Sequence, residues 1–210
     1  MYEHFPFPDC RVEQVTRAGP ERVELAVRAT RPEAACPTCL TPSNALHSYY
    51  RRHPADLPSL GQAVGLNLSV RRFYCRNPDC PRQTFAEPLP GLLSPRARRT
   101  QRLATAQGQV GVACGGQAGA RLLQRLSMPT SADTVLRLVR GLPLPAVEAP
   151  RIVGVDDWAL KKGQTYGTIL VDLEGRRVVD LLPDRTTPTL AAWLQARGSV
   201  EVIARDRSSE

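Results

Sequence analysis

Four cysteines stand in two pairs, Cys36-x2-Cys39 in CPTC and Cys75-x4-Cys80 in CRNPDC. Each pair lies among Pro, Asn or Asp, residues that fold a chain into tight turns. One such turn brings two sulfurs together, and two turns supply the four thiolates of a tetrahedral zinc site. A closed four-sulfur shell has no open position for a substrate, so the metal would be structural. The 35 residues between the pairs would form the body of a zinc-ribbon-like hairpin. That segment is proline-rich and small, so the metal would add folding free energy directly. Unrelated free thiols and a redox CxxC are the competing readings. No strand–helix unit follows Cys39, which speaks against the redox one. His47 and His53 could each replace a sulfur. Cys10 and Cys114 have no partner by spacing and read as plain buried thiols.

A second constellation is made of arginine. The chain has 210 residues and a net charge of +8, and its only lysines are Lys161 and Lys162. Residues 90–150 hold 8 basic and 2 acidic side chains, against 11 and 9 in residues 1–89 and 9 and 9 in residues 151–210. A basic excess concentrated in the middle points to a polyanion, most often nucleic acid. Arginine suits both phosphates and base edges. The candidates are Arg96, Arg98, Arg99 and Arg102, then Thr130, Ser131, Thr134, Arg137 and Arg140.

A third constellation is acidic. Asp156-Asp157 follow the apolar run Ile152–Val155, and Asp206 follows Val200–Ala204. If those runs are parallel neighbouring strands, the carboxylates emerge at one edge and could hold magnesium or manganese, which prefer oxygen ligands. Such ions serve phosphodiester cleavage. Aspartates at strand ends are also common as plain solvated groups.

The elements that must position these residues fall into three pieces with a linker. Residues 1–89 read as a zinc-binding β domain. Val23–Ala29 and Gln62–Phe73 alternate as strands, with Val64, Leu66, Leu68 and Val70 on one face, and the frequent prolines exclude long helices. Residues 90–140 read as helical. Ser94-Pro95 predicts a helix start, with serine as cap and proline in the first position. Glycines 108, 111, 115 and 116 then break that helix. A second helix follows over residues 117–126 with Ala118, Leu122, Leu123 and Leu126 inward. Ser131 caps a third, with Ala132, Val135, Leu136 and Val139 inward. The helix–turn–helix spacing fits DNA recognition, and a plain packed hairpin of helices fits it too. Residues 141–150, GLPLPAVEAP, read as a linker. Residues 151–210 predict strand, strand, strand, helix, strand. Ile152–Val155 is buried on both faces and Thr187 caps the helix.

The start, MYEHFPFPDC, lacks the basic and apolar regions of a signal peptide, and no apolar run reaches membrane length. A cytoplasmic protein with no membrane partner is expected, and cytoplasmic thiols favour metal over disulfides.

These pieces together carry a resemblance. CPTC, RRFYCRNPDCPRQTFAE, GGQAGARLLQRLSMPTSADTVLRLVR and IVGVDDWALKKGQTYGTILVDLEGRRVVDLLPDRTTPTLAAWL resemble transposases of the ISL-three insertion-sequence family along nearly the whole chain. The resemblance implies an α+β multidomain fold. Its parts are a zinc-ribbon-like β domain, a helix-turn-helix and the first half of an RNase H-like α/β domain. It implies double-stranded DNA as partner, namely insertion-sequence terminal repeats, and a possible homo-oligomer. It also implies strand cleavage and transfer by an Asp-Asp-Glu triad with magnesium or manganese. Asp156, in GVDDWA, matches the first acid and Asp206, in ARDRSSE, the second, with Asp157 as fallback for the first. In RNase H-like folds the first and fourth strands are parallel neighbours, an arrangement with which the strand order here agrees. Glu210 is too near Asp206 to be the third acid, so residues 1–210 alone are expected to be inactive. The incomplete sheet should leave apolar surface exposed. A non-catalytic DNA-binding regulator and a zinc-stabilised interaction module are the alternatives.

Overall fold

The computed structural model describes residues 7, 9–143, 150–161 and 163–205. Two compact units divide between Leu142 and Pro143. Most of the expected linker, residues 144–149, lies outside the described residues, as do Asp206 and Glu210.

The first unit is built around one long strand. β1 (Cys10–Arg17) and β2 (Arg22–Ala29) form an antiparallel pair. Two short strands follow, β3 (Ala34–Ala35) and β4 (Pro42–Ser43), and then β5 (Leu46–Arg52), β6 (Ala55–Ser59), β7 (Gln62–Tyr74) and β8 (Thr84–Ala86). β7 pairs parallel with β2 and antiparallel with β5, β6 and β8. Its alternation does the expected work: Val64, Leu66, Leu68 and Val70 are all buried. They pack with Leu25, Val27, Leu92 and Leu93, each such side chain contributing about 1.5–3 kcal/mol of transfer free energy. Near its end β7 buries Phe73 against Phe85 of β8 and Cys36, which makes a separate cluster beside the cysteines.

The helices begin later than Ser94-Pro95 predicts. Arg96 takes a positive φ of 58°, which no helix continues through. The chain instead lies against β6: Ala55 N donates to Arg98 O and Thr100 N donates to Ala55 O, both at 2.9 Å. α1 (Gln101–Arg125) starts at Thr100, whose hydroxyl accepts from Leu103 N at 3.3 Å. Gly108 and Gly111 sit inside this helix, and only Gly115 (φ 71°) kinks it. Gly111 is a close-approach site, since a Cβ there would fall 2.6 Å from Val135 Cγ1 and 2.7 Å from Val139 Cγ2. α2 (Ala132–Arg140) is capped by Ser131, as predicted. The inward set is narrower than the periodicity suggests: Leu123 and Val135 are buried, but Ala118, Leu122, Leu126 and Leu136 are exposed. Glycine-mediated contact brings the helices so close that few side chains fit between them.

The second unit follows the predicted order: β9 (Ile152–Lys161), β10 (Thr165–Asp172), β11 (Arg177–Leu182), α3 (Thr187–Gln195) and β12 (Val202–Arg205). The sheet runs β11-β10-β9-β12, with β12 parallel to β9 and the other pairs antiparallel. Three expectations change. Ile152–Val155 is fully buried only at Val153 and Val155, because α3 and Trp193 cover one face. β9 does not end before Asp156-Asp157 but continues to Lys161, paired with β10. Thr187 is the first residue of α3, not its cap. The turn is held by Asp184, whose Oδ1 accepts from Thr186 N and Oγ1, each at 2.9 Å. Those bonds hold the Asp184 carboxyl below its ordinary range. Leu173, Val178, Leu181 and Val202 are exposed apolar side chains of this unit, each between 44% and 53%.

Candidate metal centre and nucleic-acid interface

The four cysteines arrive from two knuckles held by backbone bonds. In the first, Cys36 N donates to Thr41 O at 3.0 Å and Leu40 N donates to Cys36 O at 2.8 Å. In the second, Cys80 N donates to Asn77 O at 3.2 Å and Asp79 N to Asn77 Oδ1 at 3.0 Å. Two side-chain bonds tie the knuckles together: Ser43 Oγ donates to Tyr74 O at 2.6 Å, and Arg82 Nε donates to Thr38 Oγ1 at 2.8 Å. The sulfurs of Cys36, Cys39, Cys75 and Cys80 then lie within 4.8 Å of one another, with Cys39 and Cys75 at 3.5 Å. A zinc–thiolate tetrahedron with bonds of about 2.3 Å separates its sulfurs by about 3.8 Å, so the cluster fits the ion. The contacts with Thr41 lower the Cys39 thiol to about 6, while burial and the neighbouring thiols, against the Asn77 backbone bond, raise Cys75 to about 12, so the four thiols titrate as one coupled set. Of the other candidates, His47 bonds Ser48 and stacks edge-on against Tyr74, and neither it nor His53 belongs to the cluster. Cys10 is half-buried, its thiol pushed up to about 11 chiefly by burial. Cys114, expected to be buried, is exposed beside the kink at Gly115.

The arginines of the middle segment converge. Ser94, Arg96, Ala97, Arg98, Arg99 and Thr100 form one wall of an open groove of about 510 Å³, and Thr134, Arg137 and Leu138 of α2 form the other. No carboxylate lines it. Arg52 Nη2 donates to Ala97 O at 2.6 Å and fixes the first wall. Arg99 links the walls: its Nη1 donates to Gln107 Oε1 and, at 3.2 Å, to Thr130 Oγ1. Burial, and then the nearby Arg137, lower its pKa from the ordinary value. Arg137 Nη2 donates to Thr134 Oγ1 at 3.1 Å, while Ser131 and Arg140 stay exposed at the two ends of α2.

Arg102 lies apart from this groove. Its Nε donates to Asp56 Oδ1 at 2.8 Å, its Nη2 bonds Oδ2, and its guanidinium stacks 4.8 Å from the Phe7 ring centre. Asp56 is 2% exposed and accepts a third bond, from Thr100 Oγ1 at 2.7 Å. This buried carboxylate was not singled out in the sequence, where a lone Asp before Leu-Pro carries no signal. Arg102→Ala should therefore act on stability. The expected loss is about 3 kcal/mol, the low end for breaking a buried pair, because the guanidinium is itself 33% exposed. Urea unfolding of the first unit checks this, and an unchanged midpoint would contradict it.

The acids of the second unit are separated by the pleat. Asp156 pairs across β9–β10 with Ile169, and Asp157 with Thr168. Consecutive residues of a strand face opposite sides. Asp157 is engaged, with Arg185 Nη1 at 2.9 Å and Arg185 in turn stacked on Tyr166. Asp156 is exposed and accepts only from Asp157 N, at 2.7 Å, among the described residues. Its hard oxygen donors suit magnesium or manganese.

Sequence comparisons match the same two regions. The family described as zinc-finger of transposase IS204/IS1001/IS1096/IS1165 matches residues 32–80, which span all four clustered cysteines. A transposase family, the DDE domain of ISL3 elements, matches residues 153–210. Both matches support an ISL3-family transposase. The transposase for insertion sequence element IS1001 of Bordetella parapertussis is 28% identical over 187 residues, which cover 84% of this chain and 45% of that protein. The chain thus spans less than half the length of that relative. No solved structure matches it. The cysteine cluster lies within the matched zinc-ribbon region, and no described helix is long and apolar enough to cross a membrane.

Proposed function

We propose that residues 1–142 bind double-stranded DNA at insertion-sequence ends and that Asp156 and Asp206 are two acids of an Asp-Asp-Glu centre for strand cleavage and transfer. The observation that carries the first half is the groove, where Arg96, Arg98, Arg99 and Arg137 come from separate segments onto one surface free of carboxylates. The second half of α1, beyond the Gly115 kink, and α2 act as a helix-turn-helix. Thr130, Ser131 and Thr134 lie at the start of the reading helix, where short hydroxyls reach phosphates or base edges, with Arg137 and Arg140 further along it.

The register of the second unit supports the acidic pair. Val202 pairs with Ile152, Ala204 with Gly154 and Arg205 with Val155. Asp206 is one peptide further on, as Asp156 is beyond Val155. By the strand period of two, Asp156 shares its phase with residues 202 and 204, whereas Asp157 has the other phase and is paired with Arg185. Asp156 is therefore preferred to Asp157 as first acid, in an RNase H-like arrangement. Magnesium or manganese there supplies charge neutralisation and an activated oxygen nucleophile when bound. Asp156 contributes a free carboxylate oxygen on a rigid central strand. No residue of 1–210 is assigned as the third acid, and the exposed apolar side chains of the second unit favour association.

A gel-shift and nicking experiment tests this. The 210-residue chain should shift a duplex carrying the terminal inverted repeat beside its own gene more tightly than an unrelated duplex, and leave both uncut in manganese. Failure to bind any duplex rejects the DNA reading and favours a zinc-stabilised interaction module. Nicking that disappears in Asp156→Ala would show a complete centre and reject the incomplete one.

A further inference from the structure

The basic groove does not stop at Arg96. Ser94, Arg96 and Gln101 also line a second recess of about 510 Å³, whose far wall carries Pro37 of the first zinc knuckle, Arg82 of the second and Tyr50 of β5. Arg82 is exposed, and among the described residues its side chain bonds only Thr38 Oγ1, through Nε, which leaves the two Nη groups for an anion. The zinc knuckles thus aim this guanidinium, because Thr38 lies between two ligands and Arg82 just after a third. Tyr50 is 38% exposed and rigid on its strand. The single carboxylate of the recess, Glu87, is buried and held by Arg71 Nε at 2.9 Å and Nη2 at 2.6 Å. Arg96, common to both recesses, keeps a positive φ of 58°, a strained backbone for an L side chain. Such strain is held where a side chain must be aimed.

We propose that this recess is a second contact for the same duplex, in which Arg82 takes a backbone phosphate and Tyr50 lies against the adjoining sugar. Zinc would then serve affinity by positioning Arg82 as well as stability. The inference rests on the groove of Arg96, Arg98 and Arg137 being the first contact, and the two can fail separately.

The test uses the full zinc-loaded chain and a fluorescein-labelled duplex bearing the terminal inverted repeat. Loss of one phosphate contact removes one released counterion. Arg82→Ala should therefore bind about fivefold more weakly near 0.15 M salt, with the log–log salt slope reduced by about 1. Its footprint should shorten at one end. Arg82→Lys keeps the charge and should restore the slope. Tyr50→Ala should weaken binding without changing the slope. If Arg82→Ala binds like the parent while Arg98→Ala binds more weakly, the second contact is wrong and the first stands. If neither variant alters affinity, the groove itself is not the DNA surface. A slope that Arg82→Lys does not restore would also overturn the proposal.

Discussion

Cys75→Ser is expected to leave the first unit without zinc and largely unfolded. The four sulfurs lie where β7, β8 and the β3–β4 hairpin meet, and among the described residues the aromatic side chains buried with them are Phe73 and Phe85. Structural zinc contributes about 10–16 kcal/mol of binding free energy in small sites, comparable to the whole stability of a domain, about 5–15 kcal/mol. A serine hydroxyl neither ionises at neutral pH nor matches the softness of sulfur. The parent should carry a single zinc ion per chain by elemental analysis and the variant none, with loss of cooperative thermal unfolding. Cys114→Ser, at an exposed position outside the cluster, should retain both. A parent that folds cooperatively without metal would reject the site.

The second large effect is on DNA affinity. Replacing Arg96, Arg98 and Arg137 together by alanine should weaken duplex binding about a hundredfold near 0.15 M salt, because three released counterions are lost at about fivefold each. The fold should survive. Arg96 and Arg98 have no ion pair among the described residues, and Arg137 bonds only Thr134 through its side chain. Arg99 is left in place because it joins the groove walls through Gln107 and Thr130. Arg176→Ala, which removes one exposed charge from the second unit, should have little effect. Fluorescence anisotropy with the terminal-repeat duplex measures both. Equal affinity in parent and triple variant would place the DNA elsewhere.

Much of this arrangement can be read from residue order, for local reasons. The cysteine knuckles are turns of a few residues, and the β7 alternation is a strand pattern of period two. Ser131 is a cap that bonds three residues ahead. The misreadings share a different cause. Ser94-Pro95 has good local helix chemistry, but contact with β6, some forty residues earlier, pulls the chain into a bridge and moves the helix start to Thr100. Asp156 looks like the end of a strand because apolar residues stop there. β9 continues because β10 supplies backbone partners whatever the side chains. Arg102 resembles its basic neighbours, and only the fold reveals that Asp56 is its partner. Arg82 carries no signal as a contact until the zinc knuckles bring it beside Arg96.

Salt titration of the zinc-loaded chain on the terminal-repeat duplex bears most directly on a zinc-organised unit that grips DNA through arginine. With Arg96, Arg98, Arg99, Arg137 and Arg140 on phosphates, log affinity plotted against log salt concentration should fall with a slope of about −4.5. A slope near zero, or no binding to any duplex at low salt, would contradict it.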